Sequence, residues 1–455
     1  MAEAVTALAD LPASEVQRGV RAREISVADV VRSALDRISK LNGTLNAIVT
    51  HNERALDDAR ALDTRLAGGE DPGILCGLTV GIKDVTPVGG LRTTYGSPIY
   101  ANHIPEEDAL VVRRLRDAGA IVIGKTNCPE FAAGGNTFNE VFGPTRNPWN
   151  PSRSAGGSTG GGAVALATGM IALAEGTDLG GSLRIPASFC GIVGLRPSVG
   201  LVPTHPTDWV WDTLQVSGPM ARTAEDVALM LQAVAGPSEY SPLTQPSAGR
   251  DFVAAVKAGV RRGARIAYCA DIAGIGVEPD IERVCRAAAF SLKDAGAEVE
   301  EHHLDLSEGR PVFISLRGLW FVAQMFPRLD KRDRFGANVG NNVKSGLEVS
   351  TKDLAAAENF RGRLWHRFRE FFSHYDYLVT PCMAVPPFPV ERNYPDSIAG
   401  KPMTTYIDWI APTFVLSLTG LPVASVPAGL DSEGMPVGLQ ILGRQFGEES
   451  VLALA

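Results

Sequence analysis

Gly176-Thr-Asp-Leu-Gly-Gly-Ser182-Leu-Arg-Ile-Pro-Ala-Ser-Phe-Cys-Gly-Ile-Val-Gly-Leu-Arg-Pro197 is the stretch whose reading decides the fold. The apolar run at 170–174 reads as a buried strand entering a glycine-rich turn, 183–187 as a short helix, and 191–195 as a second strand. Strand, turn, helix and strand in quick succession are the grammar of a sheet covered by helices. The same texture extends upstream, with apolar runs at 78–82 and 120–123 and a helical stretch at 109–118. Short apolar runs without alternation fit strands buried on both faces.

Farther out, residues 14–70 read as helices. Ser26 with Asp29 resembles a capping box, and Val27, Val30, Val31, Ala34, Leu35 and Ile38 recur at helical spacing. A polar segment starts near residue 236 and leads into 264–270 and a helix at 280–296, which suits either a second domain or an excursion from the same sheet. Strand signals return at 377–380, 423–427 and 438–442, which favours one domain spanning 1–455. Its expected parts are an N-terminal helical segment (1–70), a core (75–225), a variable helical, pocket-forming region (236–375) and returning strands (376–455).

Composition narrows the function. Of 455 residues, Lys+Arg number 43 and Asp+Glu 51, a formal charge of −8, which argues against a nucleic-acid binder because phosphate neutralisation needs concentrated basic surface. No uninterrupted apolar run is long enough for a membrane span, and acids stand where a secretory signal would be basic, so a soluble, cytoplasmic chain is expected. The six cysteines lack a CxxC pair and the seven histidines form no ligand-spaced cluster, so no metal site is expected. The run Gly119 to Thr126 matches the P-loop pattern literally. Its Ala-Ile-Val-Ile reads as a strand instead of a phosphate-cradling loop, and Pro129 stands where the helix should begin.

Two serines are flanked by glycines: Gly156-Gly-Ser158-Thr-Gly-Gly-Gly162 and Gly180-Gly-Ser182. Upstream, Gly81-Ile-Lys83-Asp84 places a lysine at the end of an apolar run. Glycines on both sides let neighbouring N–H groups converge on one point, which is what holding an oxyanion requires. Each serine alone is as well explained as a helix cap, for 163–168 and 183–187.

Taken together, Gly-Leu-Thr-Val-Gly-Ile-Lys83-Asp, Gly-Gly-Ser158-Thr-Gly-Gly and Gly-Thr-Asp-Leu-Gly-Gly-Ser182-Leu-Arg resemble the amidase signature family. The similarity continues through Phe142-Gly-Pro-Thr-Arg-Asn-Pro-Trp149, Val216-Ser-Gly-Pro-Met-Ala-Arg-Thr223, Leu418-Thr-Gly-Leu-Pro422 and Gly434 to Arg444, leaving only 236–375 without motif support. Thr159 replaces the usual serine, and Leu179 a more usual threonine or isoleucine.

The resemblance implies an α/β fold in a single large domain, its central mixed, mostly parallel β-sheet covered by helices on both faces. It also implies a Ser–cisSer–Lys triad with Ser182 as nucleophile, Ser158 as relay across a cis 157–158 peptide and Lys83 as base. The oxyanion hole is expected from the N–H groups of Leu179, Gly180, Gly181 and Ser182, with Thr159, Thr177, Asp178 and Arg184 in support; Asp178 and Arg184 are expected to brace the loop by ion pairing, since an unpaired charge beside an oxyanion is costly. Gly134, Gly135, Asn136, Phe138, Trp209 and Trp211 are expected at the substrate pocket, with Trp320, Phe321, Met325 and Phe326 as further aromatic or apolar candidates. Arg310, Arg317, Arg328 and Arg361 belong to basic runs that read as solvated helix faces, though one of them could hold a substrate carboxylate. The expected activity is hydrolysis of small aryl or alkyl carboxamides, with carbamates and esters within reach of the same acyl-transfer step. No cofactor is expected. The partners are a small amide or carbamate substrate, no nucleic acid and no membrane, with a homodimer left open. The alternatives are the glutaminase component of a tRNA-dependent amidotransferase and a non-catalytic binding protein with a degenerate site.

Overall fold

The computed structural model describes residues 8–455. Residues 1–7, the start of the N-terminus read above, lie outside the described residues. Eleven strands form one sheet: β1 (Ile48–His51), β2 (Thr79–Lys83), β3 (Ile121–Thr126), β4 (Leu173–Asp178), β5 (Val193–Arg196), β6 (Val216–Ala221), β7 (Arg265–Tyr268), β8 (Glu298–Glu301), β9 (Tyr377–Pro381), β12 (Val423–Leu430) and β13 (Pro436–Leu442). The short pair Ser397–Ile398 and Lys401–Pro402, β10 and β11, stands apart. Strand order is β1-β3-β2-β4-β6-β5-β12-β13-β9-β7-β8. The sheet is mixed: β3-β2-β4 and β9-β7-β8 pair in parallel, whereas β1-β3 and the middle from β4 to β9 are antiparallel. Parallel pairing thus marks the two wings, where helices connect neighbouring strands.

Helices cover both faces. Ile266 and Tyr268 on β7 join one apolar core and Ala267 the other, and the alternation recurs at Leu378/Val379 on β9 and Val423/Ala424 on β12. One core is closed by Ala13–Arg21, Val27–Leu45, Ala224–Val234 and Pro279–Ser291, the other by Gly309–Met325, Thr351–His374 and Ala411–Ser417. Ser26 accepts the Asp29 N–H at 3.0 Å, capping the second N-terminal helix as its spacing predicts. Residues 236–375 add β7 and β8 to the same sheet. Among the described residues, no helix is long and apolar enough to cross a membrane.

Besides the short β10–β11 pair, three strands of the large sheet were not anticipated: β1, β6 and β8. β6 holds Gly218 and Pro219, residue types uncommon inside strands. Pro219 is accommodated because β5 pairs only with Met220 and Ala221, leaving one side of residue 219 without a ladder.

Candidate active site

β2 and β4 lie side by side in parallel, and the site is built where they end. Lys83, the last residue of β2, is fully buried. Its Nζ donates to Ser158 Oγ at 2.7 Å and to Thr177 Oγ1 at 2.9 Å, both neutral partners. Burial pulls the Lys83 amine down to about 8, against the opposing influence of the Glu175 and Asp178 carboxylates. A lysine that shares its proton with water near neutrality is a usable base.

Ser158 sits just before the helix Gly160–Ala167, and the Gly157–Ser158 peptide is cis. Gly157 is closely enclosed: a Cβ there would meet Asn136 C at 3.0 Å and Gly134 O at 3.1 Å, so backbone on that side would have to give way slightly. Ser182 lies in the turn between β4 and the helix Arg184–Cys190 and lines the same cavity as Ser158. Neither serine caps a helix: the N-caps are Thr159 and Leu183, without side-chain caps. The Ser182 hydroxyl makes no hydrogen bond to a described residue, so the link from Ser158 to Ser182 is not closed in this state. The N–H groups of Leu179, Gly180 and Ser182 likewise find no acceptor among the described residues. Gly181 differs from expectation. Its N–H donates to Asp178 Oδ1 at 2.9 Å, which removes it from any set of free donors.

Asp178 organises this turn. Besides Gly181, it accepts the Leu183 N–H at 3.1 Å and the Arg184 guanidinium at 3.0 and 3.1 Å, and it pairs with Arg196 at 3.3 Å. All three charged side chains are fully buried. Burial alone would raise the Asp178 carboxyl, but Arg184 and Arg196 outweigh it and hold the group well below the usual carboxylate range. The contribution of Arg196 was not legible, since it lies in a different strand of the fold from Asp178.

A second buried lysine stands beside the first. Lys125, inside β3 and not in a phosphate loop, donates to the Thr86 carbonyl and is pulled by burial to about 8. Glu175 links the two lysines' surroundings: it accepts the Lys83 N–H at 3.2 Å and the Thr86 hydroxyl at 3.0 Å. Burial pushes the Glu175 and Asp84 carboxyls up.

The cavity at Ser182 is also lined by Phe131, Arg317, Trp320, Phe321, Tyr406 and Ile410. Of the expected pocket residues, Gly134 and Gly135 line it. Asn136 does not: its amide donates to the Val390 and Arg392 carbonyls and its oxygen accepts from Ser154, a structural tie between loops. Phe138 is half-buried outside the lining. Trp209 lines a neighbouring channel together with Trp320 and Met325, while Trp211 and Phe326 are exposed. Arg317, expected on a solvated face, is buried in the cavity wall at 5% exposure. Tyr406 was missed because no motif surrounds it.

The family model described as Amidase matches residues 29–452. An acylamidase from Rhodococcus erythropolis is 35% identical over 98% of this chain and 94% of its own length. The A chain of the glutamyl-tRNA(Gln) amidotransferase of Moorella thermoacetica is also 35% identical, over 98% and 95%. Among solved structures, a bacterial aryl acylamidase of the amidase signature enzymes superposes with a TM-score of 0.91 at 28% identity, covering 98% of this chain and 94% of that one. The chain belongs to the amidase signature family, and it is a hydrolase of carbon–nitrogen bonds.

Proposed function

We propose that the protein hydrolyses small aryl or alkyl carboxamides through an acyl-enzyme on Ser182, with Ser158 as proton relay and Lys83 as base. The observation that carries this reading is the buried Lys83 Nζ, held near 8 and 2.7 Å from the Oγ of Ser158, which in turn lines the same cavity as Ser182. Neutral Lys83 takes the Ser158 proton as Ser158 takes that of Ser182, and Ser182 Oγ bonds to the substrate carbonyl carbon. The oxyanion is received by the N–H groups of Leu179, Gly180 and Ser182. On collapse the C–N bond breaks, and Ser158 returns a proton to the departing nitrogen while Lys83 reprotonates Ser158. Water, deprotonated by the same relay, then releases the acid. The route needs no cofactor, and carbamates or esters enter by the same acyl transfer.

The test is intact mass and peptide mapping after exposure to a small sulfonyl fluoride. One adduct on Ser182, absent in Lys83→Ala, supports the assignment; near-normal anilide turnover by Ser182→Ala overturns it.

A second reading, the glutaminase component of a tRNA-dependent amidotransferase, draws on the near full-length 35% match to the Moorella amidotransferase chain. Arylamide turnover by the isolated chain together with indifference to glutamine favours the first reading; glutamine hydrolysis favours the second.

A further inference from the structure

The lining of the Ser182 cavity contains a cation with no counter-charge. Arg317 is buried, and among the described residues no carboxylate pairs with it. Its Nε donates to Asn342 Oδ1 at 3.0 Å and its Nη2 to Tyr406 Oη at 2.6 Å. Phe321, Tyr406 and Phe313 rings surround the guanidinium at 4.8, 5.5 and 5.7 Å. Rings soften the loss of water around a cation but do not neutralise it. Among the described residues, no Asp or Glu lines this cavity.

The polarity of the network is forced. An arginine Nε can only donate, so the Asn342 oxygen faces it and the Asn342 nitrogen donates, to the Asn338 carbonyl at 2.6 Å and to Tyr406 Oη at 2.5 Å. Tyr406 Oη therefore accepts two hydrogen bonds, and its own proton has no acceptor among the described residues. Both Arg317 and Tyr406 line the cavity. Arg317 is also tied to the turn bearing Ser182: Phe313, one helical turn before it, packs on Gly180 so closely that a Cβ there would stand 2.8 Å from the ring.

We propose that Arg317 and Tyr406 form a carboxylate-binding subsite in the Ser182 cavity, so that the favoured substrates are amides carrying a carboxylate a few bonds from the scissile carbonyl. The inference rests on the hydrolase reading above. An arginine fork with an adjacent O–H matches a carboxylate's two oxygens, and the anion supplies the charge the buried guanidinium lacks.

Two pairs of anilides, differing only in the carboxylate, test this: glutaric acid mono-p-nitroanilide against pentanoic acid p-nitroanilide, and 4-acetamidobenzoate against acetanilide. They place the charge on the acyl and amine sides respectively. The expected result is a kcat/KM ratio favouring the anionic member of at least one pair by about tenfold or more, the scale of a charge-assisted hydrogen bond. That ratio should collapse in Arg317→Met and fall partly in Arg317→Lys and Tyr406→Phe, which cover the case of a misfolded Met variant. Equal or reversed preference in both pairs, or variants that leave the ratio untouched, overturns the subsite. Calorimetric titration of Ser182→Ala with glutaric acid mono-p-nitroanilide separates the two readings. Arg317-dependent binding without wild-type turnover would sink the hydrolase reading and keep the subsite, whereas turnover of both members without preference would do the reverse.

Discussion

The two walls of the cavity are built on different principles. On the side of Lys83, Ser158 and Ser182, short strands and glycine turns hold polar atoms at fixed positions, and the buried Asp178 is ion-paired with both Arg184 and Arg196. On the other side, the helix Gly309–Met325 presents large rings and one unpaired arginine. The first wall is specified by backbone geometry, which tolerates few residue types. The second is specified by side-chain shape, which many sequences can supply. On the proposed mechanism a division of labour follows, in which the first wall would fix the chemistry and the second select the substrate.

The sharpest way to break that comparison is to strike the first wall. Ser182→Ala should lower kcat by roughly 10⁴-fold or more, and Lys83→Ala or Ser158→Ala by at least roughly 10², measured on an anilide. Next comes Asp178→Asn. It leaves two buried arginines without a carboxylate and should destabilise the protein by about 3–5 kcal/mol, read from denaturant midpoints. An unchanged midpoint would mean that the turn holds without the cluster.

A pH profile sharpens the comparison. On the proposed mechanism Lys83 acts when neutral, so kcat/KM should rise with pH and level off above about 8, provided chemistry limits the rate. Glu175 raises the Lys83 pKa, so Glu175→Gln should move that limb toward acid, whereas a change in the opposite wall should leave it in place. The smallest effect is expected from that opposite wall: Trp320→Ala should raise KM for an anilide by roughly tenfold or less while preserving most of kcat, since it removes apolar contact and no reacting group.

The same division explains what the sequence discloses. The glycine-flanked serines, Lys83 and most strands of the sheet are local patterns, so they can be read without tertiary information. The Gly181 N–H could not be assigned in advance, because its partner Asp178 is available only once Arg184 and Arg196 have positioned that carboxylate. Arg317 was read as solvated because helical periodicity around Gly309–Met325 is blurred by apolar residues on several sides. Tyr406 and Asn342 reach it from distant parts of the chain, a convergence no window of sequence contains. β6 was hidden by Gly218 and Pro219, and β8 by its three glutamates, neither of which resembles a strand interior.

Those glutamates have a further consequence. β8 is the last strand of the sheet, and Glu298, Glu300 and Glu301 are exposed along it while only Val299 turns inward. Glu301 is ion-paired with Arg286, so a second molecule adding its own β8 here would crowd four carboxylates without a cationic partner, Glu298 and Glu300 of each copy, onto one seam, and the open end of an eleven-stranded sheet is guarded against self-polymerisation by electrostatic repulsion.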